Sequence, residues 1–362
     1  MRTVTVLAVT AALVGAAVDP ASAASTSAVG GPSWRFAETA TTNRLVIADV
    51  ASQSVIWAVG GGENTPITDG SVVVTTDGGR SWRNVTPPGG ATENFRDVKA
   101  FGRYEAVVLS TGDGQNEPSQ IYRTVDGGHS WRVVFEDALP AFYNCFAFFD
   151  HRRGLAMSDP VGGKFRIAAT VNGGRSWRVL PDAGMPPALD DEFGRATGTC
   201  LQTSGNRYAW FGTATPAGVD NRVFRTTDGG RTWRVVTVPL SGGEFAGVRS
   251  LSFRDRWHGI AVGGSSDTDT GQAAVTVDGG RTWWPAGSPA GFRNGVTWIP
   301  GERSTAIAVG PSGSDISTDG GRTWRHFDDA HLLGVDCTPG AGCWAVGRGG
   351  VAARLSLSRW RA

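Results

Sequence analysis

The chain has 362 residues, a formal net charge of +1 at pH 7, 52 glycines and 14 tryptophans. A charge balance this close to neutral argues against generic attraction to nucleic acid. The glycine and tryptophan content suits many short strands and tight turns, and no long stretch carries the 3.6-residue apolar period of a helix.

Residues 1–23 read as a secretory signal peptide. Arg2 is a minimal positive start, Val4 to Val18 is apolar but too short for a permanent span, and Ala21-Ser22-Ala23 offers a small-residue cleavage site. The mature chain, 24–362, is therefore expected outside the cytoplasmic membrane, secreted or in the cell envelope, and not membrane-spanning. It is expected to be one domain and a monomer.

An orphan strand, Ser33-Trp34-Arg35-Phe36, comes first. Six copies of an octapeptide then follow: TTDGGRSW from Thr75, TVDGGHSW from Thr124, TVNGGRSW from Thr170, TTDGGRTW from Thr226, TVDGGRTW from Thr276 and STDGGRTW from Ser317. Their central residues, Asp77, Asp126, Asn172, Asp228, Asp278 and Asp319, lie 41 to 56 residues apart, the length of a four-stranded propeller blade. The Asp or Asn oxygen can accept backbone N–H bonds from the residues that follow, and the Gly-Gly pair supplies positive φ, so the octapeptide makes a tight hairpin turn. The closing indoles, Trp82, Trp131, Trp177, Trp233, Trp283 and Trp324, are expected to plug between strands and anchor each turn to its blade core.

Ahead of each box runs a small-apolar strand: WAVGG from Trp57, EAVVLSTG from Glu105, GLAMSDP from Gly154, YAWFGT from Tyr208, GIAVGG from Gly259 and AIAVG from Ala306. A seventh, WAVGRGG from Trp344, has no box. Seven such strands predict an all-β, seven-bladed propeller whose last blade is completed by the N-terminal strand, a closure that also removes free sheet edges. Cys145 and Cys200 fall at near-equivalent positions on the inner strands of neighbouring blades, and Cys337 and Cys343 flank one Pro-Gly turn. The expected disulfides are Cys145–Cys200 and Cys337–Cys343, in keeping with export.

Catalytic signatures are missing. No G-x-G-x-x-G opens a helix, no phosphate loop or G-x-S-x-G is present, and the five histidines show no metal-ligand spacing, so neither cofactor nor metal is expected. What recurs instead is an Arg where each inter-blade connection enters its inner strand: Arg44, Arg96, Arg195, Arg249 and Arg293, several beside an aromatic (Phe95, Phe193, Phe292). Guanidinium groups gathered at a channel mouth would suit an anion, either an acidic protein segment or an anionic or glycan ligand. The competing account pairs each with a nearby acid such as Asp97, Asp190, Asp191 or Glu192, tying blades together.

The octapeptides match the Asp-box, or BNR, motif in full except at Asn172, and in propellers with this motif the box is a structural turn. With FFDHRRGLAMSDPVGGKF at Phe148 to Phe165, GTC at Gly198 to Cys200 and GPSGSDISTDGGRTW at Gly310 to Trp324, the mature chain resembles the photosystem II stability/assembly factor family of seven-bladed Asp-box propellers, and more closely its relatives in non-photosynthetic bacteria. The resemblance implies an exported, non-enzymatic assembly scaffold that binds a protein through an Arg-rich patch. Some such relatives are labelled oxidoreductase or glycosyl hydrolase. The alternative class is a glycosidase, sialidase-like or glucan-acting, with candidate acids Asp113, Glu117, Asp159, Asp190, Asp191 and Glu192. The sialidase F-R-I-P signature is approached only by Phe165-Arg166-Ile167, which runs on into Ala168.

Overall fold

A computed structural model describes residues 31–64, 67–112, 118–139, 141–195 and 199–357. The signal-peptide reading and the candidate acids Asp113 and Glu117 lie outside these residues. The described chain forms seven antiparallel sheets arranged as propeller blades. Blade 1 is Ile47–Val50, Ile56–Gly60, Ser71–Thr75 and Arg83–Asn84; blade 2 is Phe95–Ala100, Ala106–Ser110, Gln120–Thr124 and Arg132–Glu136. Blade 3 is Tyr143–Phe148, Gly154–Val161, Lys164–Thr170 and Arg178–Val179; blade 4 has a divided first strand, Phe193–Gly194 and Leu201–Ser204, then Tyr208–Ala214, Asp220–Thr226 and Arg234–Ser241. Blade 5 is Val248–Phe253, Gly259–Ser265, Thr270–Thr276 and Trp284–Pro285; blade 6 is Gly295–Trp298, Ala306–Gly310, Gly313–Ser317 and Arg325–Asp328.

Blade 7 takes three strands from the C-terminal end, Leu332–Thr338, Gly342–Gly347 and Val351–Ser356, and its outer strand from the N-terminal end, Ser33–Glu38. Trp34 faces Leu355 across this pair, is buried, and donates its indole N–H to Ser314 Oγ of blade 6 at 2.9 Å. The closing strand thus ties blade 7 to its neighbour as well as completing it.

Second strands such as IWAVG and AIAVG are buried along their whole length because each is covered by a neighbouring blade on both faces. This explains why they read as continuous apolar runs rather than as an alternation. The short fourth strands lie at the rim, where Arg83 and Asn84 are exposed.

The octapeptides form the turns between third and fourth strands. In the first, Asp77 Oδ1 accepts the N–H groups of Arg80 and Ser81 at 3.0 Å, Oδ2 accepts the Ser81 hydroxyl, and Thr75 Oγ1 accepts the N–H of Gly79 at 2.9 Å. These bonds hold the Asp77 carboxyl down at about 2, the Ser81 hydroxyl contributing most. Asn172 keeps the backbone bond, accepting Ser176 N–H at 3.1 Å, but reverses the side-chain one: its amide donates to Ser176 Oγ at 2.9 Å. The first glycine of every box donates to a carbonyl in the strand 1–2 turn of its own blade (Ser54, Tyr104, Arg152, Arg207, Trp257, Ser304) at 2.8–3.0 Å. Both sets of turns therefore share one face of the ring.

The second glycine explains the Gly-Gly pair. At Gly79, Gly128, Gly174, Gly230, Gly280 and Gly321 the backbone has φ between 72° and 88°. An added Cβ would lie 2.3–3.1 Å from Trp344, Val85, Val107, Leu155, Trp210 and Ile260 respectively, each in the preceding blade. The second glycine is thus the close contact at the seam between blades, while the indoles divide: Trp177, Trp233 and Trp283 pack against Phe148, Phe211 and Phe253 of their own blades, as expected, and Trp82 and Trp131 reach across. Trp82 packs edge-on against Trp344 of blade 7, and Trp131 against Trp57 of blade 1. Trp233 and Trp283 are buried, while Trp82, Trp131, Trp177 and Trp324 are half-buried.

Both expected disulfides are present. Cys145–Cys200 joins the first strands of blades 3 and 4, with Cα atoms 6.2 Å apart, and Cys337–Cys343 spans the first two strands of blade 7 at 4.1 Å. Among the described residues no helix is long and apolar enough to cross a membrane.

Candidate functional site

The face opposite the boxes carries the strand 2–3 turns and the inter-blade connections, around the mouth of the central channel. Each first strand enters the channel there, and four of them do so through a bulge. The register skips one residue between Phe95 and Asp97, Tyr143 and Cys145, Val248 and Ser250, and Leu332 and Gly334. A bulged residue leaves the ladder and its side chain is re-aimed. The bulged residues are Arg96, Asn144, Arg249 and Leu333.

Arg96 and Arg249 therefore stand at equivalent positions in blades 2 and 5, and Arg195 stands at the break in the first strand of blade 4. Arg96 and Arg195 both act electrostatically on Arg249. Burial pushes Arg249 down to about 9, and the Arg195 and Arg96 charges add to the effect. Burial likewise pushes Arg96 down to about 10, with Arg44 reinforcing it and Asp69 opposing. Four of the five arginines of the sequence series, from blades 1, 2, 4 and 5, thus crowd one mouth. All remain cationic at neutral pH.

The crowd is held by aromatic faces and backbone carbonyls. Arg195 lies 4.5 Å above the Phe193 ring and donates to the carbonyls of Ala246, at 3.0 Å, and Glu244. Arg249 lies 4.9 Å above Phe292 and donates to the Phe245 carbonyl at 3.1 Å. Arg44 donates to the Gly61 carbonyl at 2.5 Å. Carboxylates temper the rim: Glu63 and Asp69 act on Arg44, and Asp159 and Glu244 on Arg195.

Arg293 stands apart from this group. Its guanidinium is fully buried, with Nε 2.6 Å from Asp315 Oδ2 and Nη1 donating to Ser312 Oγ and the Phe292 carbonyl at 2.9 Å. The physical reason is one residue of phase. Gly295 pairs with Val309 as Ser250 pairs with Val262, so Asn294, not Arg293, occupies the place of Arg249. One step along a strand turns a side chain to the other face.

Two of the acids named as possible partners, Glu192 and Asp97, are engaged elsewhere. Glu192 is buried against Arg222 and accepts the Thr213 hydroxyl. Asp97 accepts the N–H groups of Val98 and Phe146 at 2.8 Å, while Asp190 and Asp191 are exposed. Of the glycosidase candidates, Asp159 is pushed up to about 6 by burial, yet its Oδ1 is taken by Asn144 at 2.8 Å and Gly194 N–H at 2.7 Å. Arg166 of the F-R-I stretch pairs with Asp137, which also accepts the Tyr143 hydroxyl at 2.8 Å. Burial raises the pKa of Tyr143, the reverse of what a tyrosine nucleophile needs.

Deeper in the channel lies a cluster that sequence reading did not find. Asp336 accepts Val50 N–H, Asp49 accepts Ala100 N–H, and Asp97 accepts Phe146 N–H, each at 2.8 Å. Each carboxylate reaches from one blade's first strand to the next, and Lys99 sits against Asp49 at 2.8 Å. Burial pushes Asp97 up to about 8 and Asp336 to about 6, the neighbouring Asp49 charge adding to both. The signal was one of position, an Asp in three successive first strands, visible only once registers are known. Among the described residues no group of three or more His, Cys, Asp or Glu could hold a metal ion.

No family model matches the chain, and no curated protein matches its sequence. Among solved structures it is similar to "YCF48 bound to D1 peptide", with a TM-score of 0.61 and 18% identity over 91% of this chain and 98% of that one. It is similar to "YCF48 from Cyanidioschyzon merolae", with a TM-score of 0.60 and 18% identity over 89% and 98%. It is also similar to the Neurospora crassa Pan2 WD40 domain, with a TM-score of 0.56 and 12% identity over 88% and 90%. What the chain shares with these proteins is the fold, a single β-propeller.

Proposed function

We propose that this protein is a non-enzymatic scaffold, a divergent relative of the photosystem II assembly-factor propellers, that holds an extended acidic segment of a partner protein across the channel mouth. The observation that carries this reading is the gathering of Arg44, Arg96, Arg195 and Arg249 at one mouth, where burial holds all four guanidiniums below their ordinary pKa and neighbouring arginines add to it at Arg96 and Arg249. An arriving carboxylate relieves that repulsion and gains charge-assisted hydrogen bonds. The solved propeller of similar shape with a bound peptide supports a peptide as ligand. The two disulfides suit work in an oxidising, extracytoplasmic compartment.

The test is calorimetric titration with an extended nonapeptide rich in Asp and Glu, at low and at physiological salt. Binding is expected to weaken as the Debye length shrinks to about 8 Å. It is expected to vanish in Arg96→Glu/Arg249→Glu while the melting temperature holds. Equal binding by that variant, or turnover of sialosides or β-glucans by the wild type, contradicts the proposal.

A further inference from the structure

A second arginine cluster lies on the opposite face, between blades 4 and 5, and comparison of the protein's own blades shows what is unusual about it. In blade 2, Arg123 and Arg132 are directly opposed across the third and fourth strands. Like charges so placed repel. The repulsion is answered: Arg123 pairs with Glu105 at the head of the second strand and donates Nε to the Gly173 carbonyl of the next box at 3.2 Å.

Blade 4 repeats the arrangement with Arg225 opposite Arg234. Both answers are gone. The position of Glu105 is filled by Tyr208, since Ala106 faces Thr124 as Ala209 faces Thr226. The next box's carbonyl, Gly279, is taken by the Trp210 indole at 2.9 Å. Arg225 Nε is buried with no hydrogen-bond partner among the described residues. The charges that bear on Arg225 are Arg281 and Arg234, with Asp278 the opposing one.

The surroundings extend the cation surface and stiffen it. The exposed Trp257 ring has the Arg256 guanidinium at 4.6 Å and that of Arg281 at 5.6 Å, and Arg207 lies 5.5 Å over Tyr208. A hydrogen bond from Arg207 draws the Tyr208 hydroxyl pKa down, and the Arg207 and Arg256 charges add to it. Tyr208 stacks on Trp210, which stacks on Phe253 at 3.8 Å, so the platform is built on a rigid aromatic ladder. Arg281 is itself fixed by donating to the Asp278 carbonyl at 2.7 Å.

We propose that Arg225, Arg234 and Arg281 bind a sulfate or phosphate ester carried on a glycan, whose sugar ring lies on Trp257. Guanidinium forks match tetrahedral oxyanions bidentately, and the part of the Trp257 indole that Arg256 and Arg281 leave exposed, 38% of the residue, offers an apolar patch to a pyranose. The site is separate from the Arg mouth and independent of the function proposed for it.

The probes are a heparin tetrasaccharide, a neutral tetrasaccharide, sodium sulfate alone and an eight-nucleotide single strand, titrated by tryptophan fluorescence. The sulfated sugar is expected to bind tightest, and the neutral sugar not at all. Tyr208→Glu, which gives blade 4 the acid that blade 2 has, should weaken binding by about tenfold or more, the worth of one charge-assisted contact. Arg234→Gln, at an exposed rim position, should do likewise and guards against misfolding of the first variant. Arg96→Glu/Arg249→Glu should bind as wild type. Undiminished binding in Tyr208→Glu and Arg234→Gln, equal binding of the neutral sugar, tighter binding of the oligonucleotide, or sulfate alone matching the tetrasaccharide would each overturn the proposal.

Discussion

Replacing Trp233 by Ala tests how firmly a box indole holds its turn to the blade core. Trp233 is 5% exposed, lies 5.0 Å from Phe211 at a steep angle, and clusters with Leu155, Met157 and Phe165 of the preceding blade. Its Nε1 also donates to the Gly230 carbonyl at 3.1 Å. An aromatic of this size buries about 150–250 Å², and truncating one in a packed core costs about 3–5 kcal/mol. A chain of this length loses about 2 °C of melting temperature per kcal/mol, so a fall of about 6–10 °C is expected by calorimetry. Trp324, equivalent in sequence but half-buried, should lose less than half as much when changed to Ala. Equal shifts at the two positions, or no shift at Trp233, would refute the idea that the Trp233 indole, set against Phe211 of its own blade and Leu155 of the preceding one, is a core side chain.

The Cys145–Cys200 bond closes a loop with a sequence separation of 55, so Cys145→Ser/Cys200→Ser should cost about 4 kcal/mol by loop entropy, read as a drop in denaturant midpoint. Asp97 gives a pH signature with a definite sign. Its folded pKa, about 8, lies above the unfolded 3.8, so the folded state holds the extra proton between these values and stability falls as pH rises across that window. Asp97→Asn should flatten the urea midpoint between about pH 5 and 8, and a slope unchanged by the substitution would contradict the assignment. Trp34→Ala should open the ring closure, seen as faster amide exchange in Val351–Ser356 before any other blade loosens.

The repeat made most of the architecture legible, because each box residue does a job that survives without knowledge of the fold. Asp77 must cap backbone N–H groups and Gly79 must take positive φ, so the turn can be read from eight letters. The ring closure was legible as arithmetic, seven apolar strands against six boxes. The site was legible only in part. Arg96 and Arg293 look alike in sequence, both following a Phe at the entry to a first strand, yet Arg96 sits in a bulge while Arg293 lies one residue ahead of the matching place, which sends one to the mouth and the other into a buried pair with Asp315. Bulges carry no residue signature, and the Asp49, Asp97 and Asp336 belt depends on registers between blades, which no local pattern encodes. The answered and unanswered arginine pairs of blades 2 and 4 differ in two partners, Glu105 against Tyr208 and a box carbonyl left open against one taken by Trp210, and only the strand registers put these residues at matching places.

Hydrogen exchange with and without a saturating acidic nonapeptide tests the central claim most directly, since it reports where the ligand sits as well as whether it binds. Slowed exchange is expected in residues 42–46, 93–97, 193–195 and 245–249 around the Arg mouth, with the six box turns unchanged. Protection confined to the box turns, or none at a peptide concentration that saturates by calorimetry, would contradict the assignment of this mouth as the protein-binding site.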